Sequence, residues 1–110
     1  MSNMALELSR DNFEAEIARA EHPMLVDFWG PQCRSCLAMM PAIDWLEQHY
    51  SGRLKVAKVD VTKNRPLCVK LRILSVPSVI LYRGGTEVTR IVGDDVTEEG
   101  VKEAVEAVLQ

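Results

Sequence analysis

Apolar residues along the chain switch between two periods, and the switches divide it into elements. Phe13, Ile17 and Ala20 fall at i, i+4 and i+7, one face of an amphipathic helix. Ser9 suits its N-cap, with Asp11 in the first turn. His22-Pro23 ends it, because the residue before a proline disfavours the α region. Met24–Trp29 (MLVDFW) is instead a short apolar run with β-branched and aromatic content, the pattern of a buried strand. Gly30-Pro31 breaks it. A helical pattern resumes after Cys33, with Leu37, Met40 and Ile43 to Leu46 as its apolar positions, and continues to about His49-Tyr50. Pro41 inside that pattern predicts a kink, since it has no N–H to give the Leu37 carbonyl.

Ser51-Gly52 terminates this helix, and Leu54–Val61 (LKVAKVDV) predicts a strand in which Leu54, Val56 and Lys58 alternate with Lys55, Ala57 and Val59. Thr62 to Pro66 turns into a short helix from Leu67 to about Arg72. Ser75-Val76-Pro77 connects to a strand at Ser78–Tyr82, and Gly84-Gly85 marks a tight hairpin into Glu87–Val92. Gly93-Asp94-Asp95 punctuates. Thr97 then caps a last helix with Glu98 and Glu99 in its first turn and Val101, Ala104, Val105 and Val108 as its inner stripe. With a short edge strand at Ala5–Leu8, the order is β-α-β-α-β-α-β-β-α. Strands alternating with helices predict parallel pairing, and the closing hairpin adds antiparallel strands.

The 110 residues suit one domain, 1–110, and no linker, repeat or low-complexity segment divides them. A net charge of −3 gives no basic footprint for nucleic acid or an anionic membrane. No run approaches the ~18 apolar residues of a membrane span. Residues 1–17 lack a basic segment followed by an apolar one, so no secretory signal is expected and the cytoplasm is the expected compartment. Thiols are kept reduced there, so three cysteines point to a transient catalytic disulfide in place of a structural framework.

Cys33-Arg34-Ser35-Cys36, opening a helix after a strand, has the spacing of a redox dithiol. The alternative is half of a zinc site, whose remaining ligands would come from Cys68, His22 and His49, none paired at ligand spacing. Asp27 is the one charge in an otherwise apolar strand, a costly placement for a core position. Cys68, beside Leu67 and Leu71, reads as a small buried hydrophobe.

Taken together these segments resemble the thioredoxin family over nearly the whole chain. The resemblance rests on Val26-Asp27-Phe28-Trp29, Cys33-x-x-Cys36, Pro41, Val56 to Asp60, Ser75-Val76-Pro77-Ser78, Gly84-Gly85 and Gly93. It implies an α/β thioredoxin fold, a central five-stranded mixed sheet flanked by four α-helices. It also implies a protein-disulfide reductase in which Cys33 is the nucleophile and Cys36 the resolving thiol. Asp27 would be the buried acid that takes the Cys36 proton through water, with Lys58 as its partner from the neighbouring strand. Pro77 would be a cis-proline facing the dithiol, with the Val76 backbone pairing to an extended substrate segment. Trp29, Gly30, Pro31, Gly84 and Gly93 either border that docking surface or serve packing and turns. The implied partners are disulfide-containing proteins and a thioredoxin-reductase-type electron donor, with no cofactor beyond the redox-active disulfide, no bound metal and a monomeric state.

The centre departs from the family pattern. Thioredoxins typically carry Trp before the first cysteine, Gly-Pro between the two and Lys after the second; here these are Gln32, Arg34-Ser35 and Leu37. A cation and a hydroxyl beside Cys33 should stabilise its thiolate and make the potential less reducing. Gln32 removes an apolar platform and should weaken docking to a generic reductase. Two other functions share these features: a more oxidising isomerase or oxidant, and a binding module with an incidental dithiol.

Overall fold

The computed structural model of the protein describes residues 5–110. Its frame is a five-stranded sheet of β1 (Leu6–Glu7), β2 (Met24–Trp29), β3 (Lys55–Asp60), β4 (Ser78–Arg83) and β5 (Thr86–Val92), in the spatial order β1-β3-β2-β4-β5. β1 and β2 lie parallel to β3, whereas β4 runs antiparallel to β2 and β5 to β4. The sheet is mixed, as expected, with β2 at its centre.

Five α-helical segments surround it: α1 (Phe13–Arg19), α2 (Arg34–Ala38), α3 (Met40–His49), α4 (Arg65–Leu71) and α5 (Glu98–Leu109). α2 and α3 are one helix interrupted at Met39, which caps both. Pro41 sits in the first turn of α3, where a missing N–H costs little, and so the kink falls just before it. Counted this way, four helices flank the sheet, the thioredoxin fold.

The apolar character of β2, Asp27 apart, follows from its position, since helices cover both of its faces. Val26 and Phe28 pack with Ala57, Val59 and Ile80 against Phe13 and Ile17 of α1 and Leu67 and Cys68 of α4. Leu25 packs with Val56, Val79 and Leu81 against Ile43 and Leu46 of α3 and Val101 and Val105 of α5. Successive strand residues point to opposite faces, so Asp27 shares the α3 side with Leu25.

Some boundaries differ from the sequence expectation. The Ser9 hydroxyl accepts the Asp11 N–H at 3.2 Å and Asn12 Oδ1 accepts the Ser9 N–H at 2.7 Å, so these groups close a turn and α1 begins only at Phe13. α4 starts at Arg65 and not at Leu67, because Pro66 is accommodated in its first turn. Thr97 does cap α5, its Oγ1 accepting the Gly100 N–H at 3.0 Å. Gly84 and Gly85 take φ values of 60° and 83°, the left-handed pair that a two-residue hairpin needs.

Candidate active site

Trp29 ends the central strand, and the chain turns through Gly30-Pro31 with the Cys33 N–H donating to the Gly30 carbonyl at 3.1 Å. This turn puts Cys33 at the N-cap of α2, half-buried, with its sulfur accepting the Cys36 backbone N–H at 3.1 Å. A sulfur there faces the unpaired N–H groups and the positive end of the helix, which favour a thiolate. The Ser35 hydroxyl lies 3.5 Å from the same sulfur. Gln32, Arg34 and Ser35 are exposed around it, whereas Cys36 is only 1% exposed. The two sulfurs are joined as a disulfide, S–S 2.26 Å, with the Cα atoms 5.2 Å apart.

Sheet register brings a second set of residues to this end of the molecule. Ser78 pairs with Phe28 of β2 and with Val92 of β5, so Pro77 and Gly93 lie beside the end of β2 from which the dithiol loop emerges. The Gly93 N–H donates to the Pro77 carbonyl at 2.9 Å, and the Ser78 hydroxyl donates to the Ser75 carbonyl at 2.7 Å. Gly93 has φ 60°, and the Val76–Pro77 peptide bond is cis. Val76 is half-buried and has no backbone hydrogen-bond partner among the described residues. Trp29 is half-buried, with its indole N–H enclosed and unpartnered among the described residues. Gly84 does not join this group. β4 runs away from the dithiol, so the hairpin sits at the opposite end of the sheet, in a cleft with Ala20, His22 and Arg53.

Asp27, 2% exposed, lies on the α3 side of the sheet, two residues before the end of β2. Its Oδ2 has no hydrogen-bond partner among the described residues. Burial pushes its carboxyl up to about 7; the positive charge of Lys58 pulls the other way, and the negative charge of Asp44 adds to the rise. Lys58 stands opposite Asp27 in the β2–β3 register. Its ammonium nevertheless pairs with Asp44 of α3, Nζ to Oδ1 3.5 Å. The expected Asp27–Lys58 partnership is therefore one of charge across the register, and the direct ion pair goes to a residue that sequence reasoning missed. Glu47, one helical turn beyond Asp44, also points inward: its Oε1 is buried without a partner among the described residues, and burial raises its carboxyl. In sequence both acids sit on the flanks of the α3 apolar stripe, where solvated side chains are the norm.

Cys68 is buried on α4, and burial pushes its thiol up, the behaviour of a packed hydrophobe and not of a reactive thiol. His22 and His49 are exposed. Among the described residues no three His, Cys, Asp or Glu side chains cluster as a metal site. The thioredoxin family model matches residues 4–107. The chain belongs to the thioredoxin family. It is 35% identical over 101 residues to a thioredoxin of Peptoclostridium acidaminophilum, covering 92% of each chain. It is 37% identical over 93 residues to thioredoxin C-2 of Corynebacterium nephridii, covering 84% of this chain and 86% of the relative. It is also 33% identical over 92 residues to the bifunctional thioredoxin reductase/thioredoxin of Mycobacterium leprae, covering 84% of this chain and 20% of that protein. With its vicinal cysteine pair, this thioredoxin-family chain is a thiol–disulfide oxidoreductase.

Proposed function

We propose that the chain is a cytoplasmic protein-disulfide reductase, a monomer whose one domain spans 1–110. The observation that carries this reading is the asymmetry of the pair: a half-buried Cys33 whose sulfur caps a helix start, and a fully buried Cys36. The buried Asp27, whose Oδ2 has no partner among the described residues, supports its role as the acid. In the reduced protein the Cys33 thiolate attacks a substrate disulfide, forming a mixed disulfide and releasing one substrate thiolate. Cys36 gives its proton to Asp27 through water and attacks the Cys33 sulfur. The second substrate thiolate leaves, and the Cys33–Cys36 disulfide remains. Two electrons have passed to the substrate.

Docking uses the Val76 backbone edge beside Pro77, with Gly93, Trp29 and the exposed Gln32, Arg34 and Ser35 around it. The protein carries no cofactor beyond its own disulfide and is recharged by a thioredoxin-reductase-type donor. The Mycobacterium leprae relative, named for both activities in one chain, supports that kind of donor. The Ser35 hydroxyl beside Cys33, with Arg34 next to it, favours a less reducing poise than that of thioredoxins with Gly-Pro.

Reduction of insulin disulfides tests this, first with dithiothreitol and then with NADPH and a thioredoxin reductase as donor. Turnover with both is expected, slower with the reductase because Gln32 offers it no aromatic platform. No turnover with dithiothreitol would overturn the reductase assignment, and full-rate turnover with the reductase would overturn the role given to Gln32.

A further inference from the structure

Three carboxylates and one ammonium meet on the α3 side of the sheet: Asp27 from β2, Asp44 and Glu47 from α3, and Lys58 from β3. One cation can neutralise one of the three acids. Asp27 and Lys58 are direct neighbours across parallel strands roughly 4.8 Å apart, a span that a lysine side chain covers easily. Lys58 nonetheless leans towards the helix and meets Asp44 at 3.5 Å, while Oδ2 of Asp27 and Oε1 of Glu47 stay buried without partners among the described residues. The Lys58 side chain is 17% exposed and that of Asp44 42%, so the ion pair sits on the solvent side of the cluster and Asp27 on the dry side.

We propose that Asp44 is a positioning residue for the disulfide chemistry: by holding the Lys58 ammonium on α3, it leaves the Asp27 carboxyl without a cation of its own and able to take up and return a proton near Cys36. This rests on Asp27 as the proton partner of Cys36. The physical reason is a competition for one charge. An opposite charge in contact with a carboxyl stabilises its ionised form and weakens it as a base, whereas a like charge nearby does the reverse. Asp44 acts on Asp27 in both ways at once, by withdrawing Lys58 and through its own negative charge. The charges acting on Glu47 are the same two, so Glu47 shares the cluster without supplying a cation. On α5, Glu98, Glu99 and Lys102 line a groove with Ala42, Trp45 and Leu46 of α3, which includes neither Asp44 nor Glu47. The raised Asp27 carboxyl agrees with this arrangement.

The test follows the ionisation of Asp27 by carboxyl NMR in the disulfide form, where neither active-site thiol titrates, together with the pH profile of disulfide reduction. In Asp44→Asn, Lys58 is free to turn to Asp27, and the midpoint should fall by about 1 pH unit, with the ascending limb of the rate profile moving down with it. Asp44→Glu should restore both. In the Lys58→Met background the effect of Asp44→Asn should be clearly smaller, because only the direct repulsion is left to remove. An unmoved midpoint in Asp44→Asn would overturn the inference, and so would an undiminished shift in the Lys58→Met background. Asp27→Asn separates this from the underlying mechanism. If the ascending limb persists in that variant, the proton-partner role of Asp27 fails, while the NMR midpoint still reports on Asp44.

Discussion

Replacing Asp27 by Asn gives a stability change whose size and pH dependence both follow from burial. The carboxyl titrates near 3.8 when solvated and at about 7 in the folded protein. Below both values Asp27 is protonated in either state, and the fold carries no penalty. Between them the unfolded chain is ionised while the folded one keeps its proton, so stability falls as pH rises, by about 1.4 kcal/mol per unit. Above about 7 the folded protein must hold a buried carboxylate. Roughly three units then correspond to an upper bound of ~4 kcal/mol. Asn has the same shape and no charge, so it escapes this loss, but its buried amide adds a pH-independent cost of about 1–3 kcal/mol. The stability of Asp27→Asn relative to the parent should therefore climb from pH 4 to pH 7 and then level off, ending net stabilising at pH 8. Denaturant unfolding of the disulfide form at one-unit pH intervals measures it. A difference that does not change with pH would refute the account of Asp27 as a desolvated, cation-poor carboxyl.

Other substitutions probe the surroundings. Arg34→Gly with Ser35→Pro removes a cation and a hydroxyl beside the Cys33 thiolate, together worth about 1 kcal/mol at an exposed site. Equilibration with glutathione should then give a potential lower by roughly 20 mV; an equal or higher value would contradict the tuning. Gln32→Trp supplies an apolar platform and should raise kcat/KM with a thioredoxin reductase by about 5–30-fold, the equivalent of one aromatic contact of 1–2 kcal/mol. An unchanged value would remove Gln32 from the docking surface. Cys68→Ala should cost about 1 kcal/mol in denaturant unfolding and leave disulfide turnover unchanged, since the thiol only fills space on α4. Lost turnover in a folded variant would give Cys68 a role in the chemistry.

How far the molecule can be read from its sequence depends on the range of the interactions. β2 was legible because a strand buried on both faces has no polar alternation, and Asp27 stood out against that background. The Gly84-Gly85 hairpin and the Thr97 cap were legible because the chemistry that makes them lies within four residues. The start of α1 was displaced because Ser9 and Asn12 bond to each other's neighbourhood and close a turn of their own. Asp44 was invisible for a different reason. At the edge of an apolar stripe it resembles any solvated helix residue, and only the packing of α3 over β3 brings it to Lys58. The choice between the two roles open to Gly84, docking border or turn, needed a direction: it falls to the turn only once β4 is known to run antiparallel to β2 and to carry its far end away from Cys33.

The division of labour between the two cysteines is tested most directly by trapping mixed disulfides. Cys36→Ser keeps the more accessible nucleophile and removes the thiol that resolves it, so it should accumulate covalent complexes with disulfide-containing proteins that dithiothreitol releases. Cys33→Ser leaves only the buried thiols of Cys36 and Cys68 and should trap none. Equal trapping by the two variants, or none by Cys36→Ser, would contradict the account.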